Sequence, residues 1–251
     1  MDMVDFGKEL DYYCRSLIRI LYPANCIWCQ IPLILDEMYL CTRCSKAIEP
    51  LKKPVCARCA HLLPPYGSRR SLCSACRSER PYYDRGFALV KYEDPTKVIF
   101  HQIKFQKKFW LLKIFSELLK DFSSSVELTG YDMVVPVPLD SARERERGFN
   151  QAFIIAQMLK RTRKEIALPI FKVLKKRKKT PPQSQLKRRE RLVNLEGAFS
   201  IKKRGSLRGK YVLLVDDIFT TGSTMNECAK ILKEGGAERV DFFAIARSSS
   251  I

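Results

Sequence analysis

Four Cys-x-x-Cys pairs stand in the first third of the chain: Cys26/Cys29, Cys41/Cys44, Cys56/Cys59 and Cys73/Cys76. Each pair sets two sulfurs on one tight turn, half the ligand set of a tetrahedral zinc ion. A thioredoxin-like redox pair explains one such motif beside a βαβ unit but not four in a row. The pairs are separated by 11, 11 and 13 residues. Neighbouring pairs can therefore close two zinc ribbons of four cysteines each, although interleaving (first with third, second with fourth) also fits the spacing. Sites with four thiolates leave no open coordination position, which makes them structural. His61 reads as a bystander, and Cys14 and Cys228 as small core residues.

The net charge of +19 is concentrated rather than spread. Between Arg143 and Lys210 there are 22 Lys and Arg against five Glu and no Asp, a local balance of +17. Such a one-sided field attracts polyanions: phosphate groups, nucleic acid or an anionic surface. No apolar run approaches the roughly 20 residues of a membrane span, and the acidic N-terminus lacks a secretory h-region. A cytoplasmic protein without a membrane span is expected.

Periodicity predicts helices over residues 5–22, from Asp94-Pro95 to Phe105, over Trp110–Phe122, over Asn150–Arg161 with Phe153, Ile154, Met158 and Leu159 inward, and over Ser223–Glu234. Strands are predicted at Phe87–Tyr92, Val134–Leu139, Tyr211–Val215 and Val240–Ala246, with a return to strand within Leu192–Ile201. Strand, helix and strand with short joins at the C-terminus predict a parallel sheet, hence an α/β fold.

The segment from Val212 to Thr224 carries the most chemistry. An apolar strand ends in Asp216 and Asp217, and Thr220, Thr221, Gly222, Ser223 and Thr224 then open a helix. Hydroxyls and backbone N–H groups at a helix N-terminus favour an anion, and Gly222 allows close backbone approach. Two carboxylates beside a phosphate cradle need hydroxyls or a cation to face. A phosphorylated ribose, with its phosphate in the turn and its diol on the acids, answers both demands. No Gly-x-x-x-x-Gly-Lys or Gly-x-Gly-x-x-Gly motif is present.

This segment resembles the signature of type I phosphoribosyltransferases, and nearly the whole chain resembles the ComF family of competence proteins. The paired cysteines match that family's double zinc ribbon, and Ile103-Lys104-Phe105 its Lys-Phe/Tyr element. Val135-Pro136-Val137-Pro138-Leu139 followed by Arg143, Arg147, Gly148, Phe149, Asn150 and Gln151 matches its central run. Thr180, Gln183, Leu186, Glu190, Arg191, Asn194, Gly197, Ala198 and Phe199 match its mobile-loop pattern. Asp140 departs from the pattern.

The resemblance implies an N-terminal helix and double zinc ribbon over residues 1–80. A phosphoribosyltransferase-like domain over 81–251 follows, a parallel sheet with flanking helices and a mobile basic loop at about 172–196. It implies that Thr220–Thr224 hold the 5′-phosphate of phosphoribosyl diphosphate (PRPP) and that Asp216 and Asp217 hold the ribose hydroxyls. Val137 and Pro138, with Arg143 and Arg147, would meet the pyrophosphate, Mg²⁺ would bridge ligand oxygens, and the loop of Thr180, Gln183 and Arg191 would close over the site. Two activities are compatible with this: handling single-stranded DNA in natural competence alongside other uptake proteins, or phosphoribosyl transfer to an acceptor that the sequence does not specify. The basic block and Phe149, Phe153, Phe171 and Phe199 suit the first.

Overall fold

Residues 133–136, 211–219 and 239–247 are mostly buried and mostly apolar, with β-branched residues frequent among them, the composition of strands covered on both faces. The computed structural model describes residues 23–52, 54–66, 71–125, 130–162, 168–177, 195, 197–202 and 207–248. The predicted helix over 5–22 with Cys14 lies outside them, as do Thr180, Gln183 and Arg191.

Among the described residues, α1 (Thr42–Lys46) and α2 (Ser74–Glu79) belong to the cysteine region. They are followed by β1 (Gly86–Lys91), α3 (Thr96–Phe105), a 3₁₀ segment (Phe109–Phe115), α4 (Ser116–Ser125) and β2 (Met133–Pro136). Next come α5 (Ser141–Arg147), α6 (Gln151–Thr162), β3 (Leu174–Lys176) and β4 (Phe199–Ile201). The chain closes with β5 (Tyr211–Phe219), α7 (Ser223–Glu234) and β6 (Arg239–Arg247). The main sheet is parallel, in the order β1-β6-β5-β2. Residues 49–51 cover its β1 edge: Leu51 N donates to Leu89 O at 2.8 Å and Lys91 N to Glu49 O at 3.0 Å. β3 and β4 form a separate antiparallel pair.

The two sheet faces bury different cysteine sets, because neighbouring strand residues point to opposite sides. One face gathers Leu213, Val215, Phe243 and Ile245 with helices α3, α4 and α6 and with Cys26, Cys41 and Cys44. The other gathers Val212, Leu214, Phe242 and Ala244 with α7 and with Cys56, Cys59, Cys73 and Cys76. Burying a side chain such as Phe242 or Phe243 contributes roughly 1.5–3 kcal/mol. Gly86 makes room for the second ribbon: a Cβ there would lie 2.6 Å from the Arg58 carbonyl oxygen and 2.3 Å from the Phe242 ring.

Several predicted elements are corrected. Trp110–Phe122 is not one α-helix; its first part winds as 3₁₀, burying Leu111, Leu112 and Phe115. In α6 Leu159 is buried as predicted and Ile154 and Met158 pack half-buried against the core, but the fully buried face also holds Gln151, Ala152, Ile155 and Ala156, and Phe153 is only half-buried. Ala152 and Ala156 on that face let the helix lie close on the sheet. β2 stops at Pro136, three residues before the predicted Leu139, and β4 occupies only Phe199–Ile201 of the predicted stretch. β5 runs past the predicted Val215 to Phe219, because β6 goes on pairing with it to Arg247.

Candidate functional site

The cysteines close sequentially. The sulfurs of Cys26, Cys29, Cys41 and Cys44 lie within 4.8 Å of one another, and so do those of Cys56, Cys59, Cys73 and Cys76. Cys29 and Cys41 sulfurs are 3.7 Å apart, and Cys59 and Cys73 sulfurs 3.6 Å. Tetrahedral zinc with legs of about 2.3 Å places its sulfurs roughly 3.8 Å apart, so both sets fit the ion. The two ribbons repeat one construction. Cys26 N donates to Ile31 O at 2.9 Å and Cys56 N to His61 O at 2.7 Å, while Cys41 and Cys73 precede α1 and α2. His61 serves through its backbone, and its ring belongs to neither sulfur cluster. Cys228 is fully buried core, as expected.

The acids sit where the sheet opens. The last β2–β5 register pair joins Pro136 to Val215. Beyond it, Asp216 and Asp217 have β6 on one side and the mouth left by β2 on the other. Successive strand positions send the two carboxyls apart. Asp217, buried, accepts from Lys104 Nζ at 2.8 Å and from Gln151 Nε2 at 3.1 Å. Asp216 takes the amide of Asp217 on Oδ1 at 2.8 Å and lies within electrostatic reach of Lys176 and Cys228.

Burial and the neighbouring Asp217 push the Asp216 carboxyl up to about 8. For Asp217 burial acts in the same direction, but the Lys104 charge and hydrogen bond, with Gln151 and Arg147, outweigh it and hold the group below the usual carboxylate range. The pair therefore carries one charge and one proton near neutrality, as like charges in one site require. Gln151 Oε1, beside the pair, is buried and has no hydrogen-bond partner among the described residues.

Around the acids the predicted residues divide. Arg147 lies in the field of Asp217 and Asp216; its burial disfavours the charged form and the two carboxyls oppose that. Arg143 is engaged with Asp140, which caps α5 by accepting the Arg143 amide at 3.0 Å and pairs with its guanidinium at 3.4 Å. That gives the departing residue Asp140 its role. The Val137 carbonyl accepts from Asn150 Nδ2 at 3.0 Å, fixing the turn that contains Pro138.

The Thr220–Thr224 turn is shaped by Phe219 and Gly222. Gly222 has φ +82°, and a Cβ there would lie 2.5 Å from the Phe219 ring, so only glycine fits. Thr221 and Ser223 hydroxyls are 2.8 Å apart. Gly222, the N-cap of α7, has no side chain to cap with; the Ser223 amide donates to the Thr221 hydroxyl at 3.5 Å, and the helix dipole faces the turn.

Lys104, Gln151, Lys176 and Arg247 were not singled out as site residues in the sequence, and the fold brings them here. Lys176, on β3, is depressed by its burial and by Arg143 and is steadied by Asp140 and Asp216. Arg247 is a guanidinium ending an otherwise largely apolar strand. It is buried, donates from Nε to Cys59 O and from Nη1 to Thr220 O, each at 3.0 Å, and lies 4.6 Å from the Phe219 ring centroid. A small cavity between the second ribbon and the turn is lined by Cys76, Tyr83, Thr221 and Arg247. Of the phenylalanines interleaved with the basic block, Phe199 is core, Phe149 and Phe153 are half-buried and Phe171 is exposed. The stem of the basic loop rests on α7 through Gly197 N, which donates to Glu227 Oε1 at 2.9 Å.

No described helix is long and apolar enough to cross a membrane. Residues 146–250 match the phosphoribosyl transferase domain family, and residues 17–77 the double zinc ribbon domain family. The chain is 31% identical over 230 residues to competence protein F of Haemophilus influenzae, spanning 89% of this chain and 97% of that protein. It is 30% identical to the DNA utilization protein YhgH of Escherichia coli K12, over 90% and 98% of the two chains. To competence protein ComFC of Bacillus subtilis the identity is 27%, over 90% and 92%. With its paired zinc ribbons and its parallel-sheet phosphoribosyltransferase-like domain, the chain belongs to the ComF family of competence and DNA utilization proteins.

Proposed function

We propose that this protein binds PRPP together with Mg²⁺ and acts in natural competence, handling single-stranded DNA during uptake. The observation that supports the reading is one juxtaposition: the Asp216–Asp217 pair, Asp216 raised and Asp217 lowered, stands with the N-terminus of α7 and the guanidinium of Arg147. The 5′-phosphate belongs in the Thr220–Thr224 turn, where N–H groups and hydroxyls converge. The ribose diol belongs on the acids, and the pyrophosphate near Val137, Pro138 and Arg147, with Arg143 released from Asp140 to join it. Carboxylate oxygens suit Mg²⁺, and the orphaned Gln151 Oε1 suits a water of its shell. Bound there, the ion supplies positive charge to the pyrophosphate. The loop of Thr180, Gln183 and Arg191 acts as the lid.

The DNA assignment draws on the names of the relatives and on the basic block. Its test is a titration of labelled single strands over a salt series: binding that weakens linearly in log–log form supports it, and no binding at low salt removes it. Phosphoribosyl transfer is a second reading, favoured by the Asp216 proton, since a carboxyl poised near neutrality can exchange a proton with a reacting acceptor. Following pyrophosphate release from labelled PRPP with a panel of nucleobases and DNA separates the two readings.

A further inference from the structure

An aromatic cluster outside the acid site, running from the turn after α3 to Phe149 near the start of the basic block, remains unexplained by PRPP binding. Phe105, Phe109 and Trp110 are 68%, 46% and 42% exposed, three large rings within six residues. Their segment already meets its own burial needs, since Leu111, Leu112 and Phe115 are almost fully buried. The outer rings form a connected row: Phe109 lies 5.6 Å from Trp110 and 5.4 Å from Phe149, centroid to centroid. Lys107 holds a left-handed φ of 58° at the turn between α3 and the 3₁₀ segment, an unusual conformation for a side-chain-bearing residue. Exposed apolar surface of this kind marks an interaction site more often than chance.

The charge around the row names the occupant. Residues 96–113 contain Lys97, Lys104, Lys107, Lys108 and Lys113 and no Asp or Glu. From the other side of Phe149, α5 adds Arg143, Arg145 and Arg147 against Glu144 and Glu146. Rings that offer flat faces among cations suit a strand with unpaired bases and a phosphate backbone, since bases stack on aromatic faces while phosphates track the positive charge. A duplex hides its base faces and has less use for such a row. Lys104 joins this surface to the acids through its ion pair with Asp217.

We propose that Phe109, Trp110 and Phe149, flanked by Lys107, Lys108 and Lys113, form a stacking platform for single-stranded DNA beside the phosphate site. This deepens, and rests on, the DNA handling proposed above, and it places the bases on the Phe109–Trp110 segment at the N-terminal edge of the 143–210 block. The chain has two tryptophans, so Trp28→Phe leaves Trp110 as the sole reporter. Titrating that protein with labelled oligothymidylate, read by Trp110 emission and by label anisotropy together, is the test. Expected is saturable quenching of Trp110 in step with binding, and little with duplex. Phe109→Ala with Trp110→Ala should weaken binding roughly tenfold or more with an unchanged salt slope. Lys107→Gln should lower that slope by about 0.7. Zinc content and thermal unfolding of each variant establish that it folds, and the Trp28→Phe protein keeps the platform intact in any case. Anisotropy that saturates while Trp110 stays unquenched and the double variant binds normally overturns the platform and leaves DNA handling standing. Absence of anisotropy change at low salt overturns both, and points to a protein partner for these rings.

Discussion

Cys59 of the second zinc site and Thr220 of the turn before α7 present their backbone carbonyls to one side chain, the buried guanidinium of Arg247, at 3.0 Å each. The metal site that holds the ribbon together is thus one hydrogen-bonded step from the turn assigned to the ligand phosphate. Structural zinc fixes the Cys59 knuckle, Arg247 transmits that position, and Phe219 stacks between Arg247 and Phe242.

Arg247→Ala is expected to leave three carbonyls, those of Cys59, Thr220 and Ser248, without their charged donor. Charge-assisted hydrogen bonds contribute roughly 1.5–3 kcal/mol each, shared among partners, so a loss of about 2–4 kcal/mol in chemical denaturation is expected. Hydrogen exchange over 219–224 should rise in this variant with zinc still bound, and should rise in the wild type when chelation empties the second site. Exchange unaltered in both cases would break the proposed link.

Gly222→Ala should fail in the turn itself. Left-handed backbone costs an L-residue roughly 1–2 kcal/mol, and here the new methyl also meets the Phe219 ring at 2.5 Å. Thermal unfolding should shift downward and PRPP affinity should fall by at least tenfold; Ser223→Ala, which keeps the backbone, should retain more affinity. A Gly222→Ala protein with native affinity contradicts the assigned geometry.

The carboxyl pair predicts a pH dependence of definite sign. Asp216 titrates at about 8 in the folded chain, above its unfolded value, so the folded state holds a proton that the unfolded state has released. This group's stabilising contribution is complete below the ordinary carboxylate range and is lost as pH rises toward 8. Asp216→Asn removes the titration. Between pH values of about 4 and 8 the wild type should lose stability relative to Asp216→Asn in denaturant melts. Parallel pH profiles would show that Asp216 does not titrate above the ordinary carboxylate range.

Two zinc ions per chain are expected by metal analysis, with Cys26→Ser and Cys56→Ser each reducing the count to one. Since each cysteine set packs into its own sheet face, loss of either ion should also lower the melting temperature. A count of one or none in the wild type contradicts the sequential ribbons.

Much of this arrangement was legible because its signals are local. The four cysteine pairs, the strand–turn–helix around Asp216 and Gly222, and the β5–α7–β6 unit each declare themselves within a few residues of chain. Pairing between ribbons was not, since the sequential and interleaved closures differ only in three dimensions. Nor was Arg247, whose partner Cys59 stands 188 residues away; Lys104 stood out only as part of a family element, without its partner Asp217, 113 residues on. Asp216 and Asp217 look equivalent in sequence, but strand alternation sends one carboxyl to Lys104 and the other toward Lys176. The 3₁₀ winding of Phe109–Phe115 escaped detection because adjacent Leu111 and Leu112 suit a helical apolar stripe equally well.

The central claim is that the two acids at the end of β5 hold the sugar of a PRPP–Mg²⁺ complex. Isothermal titration of PRPP into the wild-type protein and into Asp216→Ala with Asp217→Ala, with and without Mg²⁺, tests it most directly. The account predicts saturable, Mg²⁺-dependent binding in the wild type and none in a double variant that remains folded and retains its zinc. Equal affinity in the two proteins, or no binding by the wild type, would contradict it.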